Sequence, residues 1–96
     1  MRDANDAQSR RPRGWPVLPG FREMAERRRE LIASLVARRR ALGLSQTEVA
    51  ARMGTSQPAV ARLESGAADV RLTTLDRYAL AVGRQLDWRL RADEKR

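Results

Sequence analysis

The chemistry within reach of this chain is that of guanidinium groups. Nineteen of its 20 basic side chains are arginine, set against 12 carboxylates, and the formal charge is +8 over 96 residues. Histidine and cysteine are both missing from the sequence. That removes the commonest general base, thiolate nucleophiles, disulfides and the usual zinc ligand sets. The carboxylates fall in capping or surface positions, and no glycine-rich phosphate loop is present, so no enzyme, cofactor or metal is expected. An arginine excess is suited to a polyanion, because each guanidinium set against a phosphate releases condensed counterions and its planar fork matches phosphate and guanine. Two plainer sources of the same composition stay open at this point: solubility of a small protein, and a GC-rich coding sequence.

Several elements are available to position those groups. The chain length suits one domain. Residues 1–19 hold three of the four prolines and scattered arginines without apolar periodicity, which reads as a flexible basic arm. Its cluster Trp15, Val17 and Leu18 is apolar enough to dock on the body of the domain or on a partner. From Phe21 to Leu42 strong helix formers run without Gly or Pro, and Met24, Leu31, Ile32, Leu35 and Leu42 recur on one side. This is one long helix, with a break near Arg27–Arg29 as the variant, stopping at Gly43. No stretch reaches the roughly 20 apolar residues of a membrane span, and the N-terminus lacks an apolar signal core. A cytoplasmic protein without membrane association is expected.

Sharper punctuation follows. Ser45-Gln46-Thr47-Glu48 has the form of a capping box, in which hydroxyl and carboxylate each satisfy the other residue's backbone N–H. The helix it opens runs to Met53, and Gly54 supplies a left-handed stop. After Thr55, Ser56 is a second N-cap, and Pro58 lies in the first turn, where a missing N–H costs nothing. This helix runs to Ser65 and stops at Gly66. A fourth begins around Leu72–Asp76 with Thr73 as cap, buries Leu75, Tyr78, Ala79 and Val82, and ends at Gly83. Gln85 to Arg91 then alternates polar and apolar with period two, the mark of a half-buried strand.

Two short helices across a glycine turn, with Ala50 small at the close approach and Val49, Val60 and Leu63 facing inward, make a helix-turn-helix. The segment GLSQTEVAARMGTSQPAVARLESG, Gly43 to Gly66, resembles the core of the Cro/CI-type (XRE) repressor superfamily, and the likeness extends more loosely over Ile32 to Leu90. It implies a mostly helical domain that inserts its third helix into the major groove. By the same resemblance Gln46 lies against a phosphate near the start of the second helix. Thr55, Ser56, Gln57 and Pro58 meet phosphate and base edges, with Gln57 matched to adenine and Arg62 to guanine. Ala59 and Ala61 allow close approach or a thymine methyl, and Arg71 is a phosphate contact. Pro58 stands where the family commonly has a polar residue, which removes some hydrogen bonds to bases. The plain alternatives are that Gln57 solvates a helix start, that Arg62 pairs with Glu48 or another acid, and that Arg71 is an ordinary surface charge. The resemblance also implies a structural ion pair between Arg39 and Glu64.

The tail GRQLDWRLRAD resembles the strand-forming tail of HigA-like and HipB-like antitoxins, in which two tails pair across a dimer axis. Leu86, Trp88 and Leu90 would then form the dimer interface. A short fifth helix, or Trp88 closing its own subunit, are the competing readings. The expected fold is thus all-α: a lambda-repressor-like helix-turn-helix bundle of four to five helices, with a short C-terminal β-strand pairing across a dimer. Its divisions are an arm at 1–19, the DNA-binding domain at 20–84, and a dimerisation strand and charged tail at 85–96. The expected function is a bacterial or phage transcriptional regulator, a repressor that binds a palindromic operator in double-stranded DNA as a homodimer. The alternative is an antitoxin that also neutralises a cognate toxin by direct contact, through Trp15, Val17, Leu18 and the outer side of the first helix.

Overall fold

The computed structural model describes residues 20–66 and 69–92. The arm at 1–19, with its Trp15 cluster, and the last four residues of the tail lie outside them. The described residues form helices α1 (Phe21–Ala41), α2 (Gln46–Met53), α3 (Gln57–Ser65) and α4 (Leu72–Ala81). None of them is long and apolar enough to cross a membrane.

Local chemistry sets most of the boundaries. The Ser45 hydroxyl accepts from Glu48 N–H at 3.0 Å while the Glu48 carboxylate accepts from Ser45 N–H at 2.8 Å, so the capping box is complete. That hydrogen bond to the Ser45 backbone holds the Glu48 carboxyl below its ordinary range. Ser56 caps α3 through Ala59 N–H at 3.3 Å. Between the two helices Gly54 has φ 72° and ψ 35°, a left-handed conformation that L side chains resist and that turns the chain in a single residue. The chain reverses tightly enough there for Thr55 N–H to reach Ala50 carbonyl at 2.9 Å.

The core gathers Ile32 and Leu35 of α1, Val49, Ala50 and Met53 of α2, Val60 and Leu63 of α3, and Leu75, Tyr78, Ala79, Ala81 and Val82 of and after α4. Ala50 is almost fully buried in the core of the helix-turn-helix. Two guanidinium groups hold the far end of α4: Arg38 of α1 donates to Val82 carbonyl at 3.1 Å, and Arg52 of α2 to Ala81 carbonyl at 2.9 Å. Cations at a helix C-terminus satisfy carbonyls that have no partner within the helix and favour its dipole.

Three expectations need correction, while the first helix is the single long one expected. α1 runs unbroken through Arg27–Arg29, but its expected apolar side is not buried throughout: Met24 is 53% and Leu42 is 42% exposed. A helix of 21 residues is about 31 Å long, whereas α2 to α4, with 8, 9 and 10 residues, reach only about 12–15 Å. Three short helices cannot cover the whole of α1, and they bury only its middle and C-terminal part at Ile32, Leu35 and Arg39. The cap of α4 falls at Arg71 rather than Thr73, because the Arg71 carbonyl already accepts from Thr74 and Leu75 N–H. Finally, residues 84–92 form neither the strand nor the fifth helix. A strand needs a neighbour for its backbone groups, and a bundle of helices offers no sheet edge. The tail is held by side chains instead: Leu86 packs on the core, and the Trp88 indole N–H donates to Asp76 of α4 at 3.0 Å.

Candidate nucleic-acid interface

Capping and packing together leave one row of α3 open. Val60 and Leu63 turn inward, which leaves Gln57, Pro58, Ala59 and Arg62 exposed, with Thr55 and Ser56 leading in. Ala61 is half-buried and stands behind that row. Arg62 forms no ion pair among the described residues, and Glu48, its suggested partner, is turned back onto Ser45. Arg71 is exposed in the connection before α4 and lines one shallow groove with Ala59, Arg62 and Thr74. Seven candidates thus stand exposed along α3 or close to it.

Gln46 is placed differently from the rest. It is half-buried, and its amide bridges the surface to the interior: Nε2 donates to Glu64 Oε1 at 2.9 Å, and Oε1 accepts from Gln57 Nε2 at 2.7 Å. The main-chain N–H groups of Gln46 and Thr47, at the positive end of α2, have no acceptor among the described residues.

Behind Gln46 lies the ion pair. Arg39 meets Glu64 through both Nε, at 2.6 Å, and Nη2, at 3.0 Å, while its Nη1 donates to Leu44 carbonyl at 2.8 Å. Only 10% of the Arg39 side chain and 7% of the Glu64 side chain is exposed. The Tyr78 hydroxyl donates to Glu64 Oε2 at 2.5 Å. Burial pushes the Glu64 carboxyl upward, but the hydrogen bonds from Arg39, Tyr78 and Gln46 outweigh it and leave the group below its ordinary range. Hydrogen bonding to Glu64 raises Arg39, and burial beside that carboxylate raises the Tyr78 phenol. The network ties α1, α2, α3 and α4 to one carboxylate and extends to the exposed amide of Gln57.

Sequence reasoning paired Arg39 with Glu64 but assigned Tyr78 to the core alone and missed the link through Gln46. A signal for Tyr78 existed: a tyrosine in an otherwise apolar stripe must find a partner for its hydroxyl. It also missed Leu72 and Leu80, 56% and 67% exposed on the flank of α4. Their spacing around Asp76 sets them on one stripe beside the buried side, and Trp88, half-exposed, is tied to that same Asp76. Leu90 is fully exposed.

The profile of a family described as helix-turn-helix matches residues 35–89. Antitoxin HigA1, from two strains of Mycobacterium tuberculosis, is 47% identical over 76 residues, which cover 79% of this chain and 48% of that protein. The chain therefore spans about half the length of the curated relatives it matches. No solved structure matches it.

Proposed function

The chain belongs to the Cro/CI-type helix-turn-helix family, and from that premise we propose that it is a sequence-specific regulator of transcription, a repressor that binds a palindromic operator in double-stranded DNA as a homodimer. The observation that carries this reading is the exposed row along α3, where the Arg62 side chain has no ion pair among the described residues and Gln57 is oriented by Gln46. A helix lowered into the major groove presents such a row to base edges. Gln57 reads adenine and Arg62 reads guanine. Thr55, Ser56 and Pro58 approach the backbone, and Ala59 and Ala61 keep the helix surface low enough for close contact. The free N–H groups at the start of α2 take a phosphate beside Gln46, and Arg71 takes another. Regulation is by occlusion of a promoter and needs no chemistry.

Selection of bound fragments from random duplex DNA tests the reading. The expected result is a palindrome whose half-sites lie about 10 base pairs apart or a multiple of that. Recovery of fragments with no shared motif would overturn it.

A second reading rests on the likeness to antitoxin HigA1 and on the N-terminal half of α1, which extends past the bundle with Phe21 and Met24 exposed. In that reading the regulator also binds and neutralises a toxin, and represses the operon that encodes both. Co-expression with the product of a neighbouring gene for a small ribonuclease-like protein should give a stable complex that Phe21→Arg with Met24→Glu disrupts. Separate elution of the two proteins would remove this reading and leave the repressor.

A further inference from the structure

The chain of hydrogen bonds from Glu64 to Gln57 has a direction, and the direction is set at its buried end. A carboxylate that pairs with a guanidinium can only accept. Glu64 receives Nε and Nη2 of Arg39 and the Tyr78 hydroxyl, so whatever else meets it must donate. Gln46 accordingly turns its Nε2 inward, which leaves its Oε1 facing α3. That oxygen can only accept, so Gln57 turns its own Nε2 toward it. The two ends of an amide have nearly the same shape, and in isolation either end can point either way. An acceptor-only anchor removes that freedom along the whole chain.

We propose that Glu64 is a positioning residue for base readout: through Gln46 it fixes the amide polarity of Gln57, and so makes α3 select adenine and reject guanine at the base that Gln57 faces. The inference rests on the reading of α3 given above. Anchored in this way, Gln57 keeps its carbonyl oxygen and one amide hydrogen for DNA. The major-groove edge of adenine offers the N6 amino donor and the N7 acceptor, which match one acceptor and one donor. Guanine offers two acceptors, O6 and N7, and needs two donors. An amide with one hydrogen held by Gln46 has only one left. Released from Gln46, the same side chain can turn both hydrogens toward guanine.

The experiment uses the full chain with Gln46→Met, which keeps the length and helix propensity of the side chain and leaves the Arg39–Glu64 pair in place. Wild type and variant are titrated against the selected operator, and against the operator with the adenine facing Gln57 replaced by guanine. That adenine is identified as the base whose replacement ceases to matter in Gln57→Ala. Wild type should prefer adenine by roughly ten- to a hundredfold, and Gln46→Met should reduce the preference to less than about threefold. Any loss of the phosphate contact beside Gln46 lowers all duplexes by the same factor and cancels from the ratio of the adenine to the guanine operator. A second variant, Arg39→Met with Glu64→Gln, sets a neutral amide at 64 that can donate or accept, and leaves no unpaired buried cation. It should relax the same base in the same way. The relay is overturned if Gln46→Met retains the full preference for adenine, whatever it loses on all duplexes alike. If Gln57→Ala leaves every base preference intact, the base-reading role of Gln57 itself falls, a failure separate from that of the relay.

Discussion

Glu64 accepts four hydrogen bonds from three side chains, and its ionisation state therefore matters to the whole bundle. Its carboxyl lies lower in the folded protein than in the unfolded chain, so acid protonates the unfolded chain first. The stability this supplies is fully present above about pH 5 and is lost as the pH falls through the folded value. Tyr78 behaves in the opposite sense. Its phenol is raised on folding, so its contribution is present below about pH 10 and disappears as the pH rises through the folded value. Thermal midpoints measured across pH should thus show a plateau bounded by two falls. Glu64→Gln should flatten the acid fall, and should cost about 3–5 kcal/mol at neutral pH by leaving the Arg39 cation uncompensated. An unchanged acid slope in that variant would assign the fall to other carboxylates. At the exposed end of the site, Gln57→Ala and Arg62→Ala should each cost about 1–3 kcal/mol of operator affinity and relax one base per half-site. Equal losses on operator and random duplex for Arg62→Ala would mark it as a backbone contact only.

The helix-turn-helix element is stabilised by local devices whose removal has known cost. Gly54→Ala keeps open space around the new methyl group but forces an L side chain into φ 72°, a loss of about 1–2 kcal/mol. Ser45→Ala breaks the capping box at about 1 kcal/mol. In a domain of this size each kcal/mol lowers the thermal midpoint by roughly 4–8 °C, well within reach of calorimetry. If Gly54→Ala melts with wild type, the left-handed turn is not a constraint on the fold. These devices were legible in the sequence because each is complete within four or five residues: Ser45 with Glu48, Gly54, Ser56 with Pro58. Features that depend on distant partners were legible only where the family resemblance supplied them, as for Arg39 with Glu64. The periodicity that set Met24 and Leu42 beside Ile32 carries no information about how short α2 to α4 are. The alternation from Gln85 to Arg91 describes a strand only if another strand lies beside it, and within the described residues none does. Gln46 and Glu64 lie 18 residues apart, and only the packing of α2 on α3 brings their side chains to 2.9 Å.

At the scale of the whole molecule, charge and symmetry govern binding. A dimer of chains with formal charge +8 that engages about 6–10 phosphates should lose three to five decades of affinity between roughly 50 and 200 mM salt. A flat response would turn the arginines toward a protein partner. The proposed pairing of two copies must meet a stricter demand, since two α3 helices enter successive major grooves only when held about 34 Å apart. The surface best placed to fix that distance is the flank of α4 with the tail laid against it. Leu72 and Leu80 lie exposed there, Trp88 is pinned to Asp76 between them in sequence, and Leu90 is fully exposed beyond. An isologous contact needs one self-complementary patch, and exposed apolar side chains on a helix flank and tail can meet their symmetry mates without a strand. Leu80→Arg tests this without disturbing the fold, because Leu80 is 67% exposed and contributes little to its own core. The variant should melt like wild type, sediment as a monomer at micromolar concentration, and lose about 100- to 10,000-fold in operator affinity as the second half-site ceases to be tethered. Trp88→Ala should act in the same direction, more weakly, since part of its indole already serves α4 of its own chain. A dimer that survives both changes with full operator affinity would place the interface elsewhere, and the exposed N-terminal half of α1, at Phe21 and Met24, is the apolar surface that remains for it.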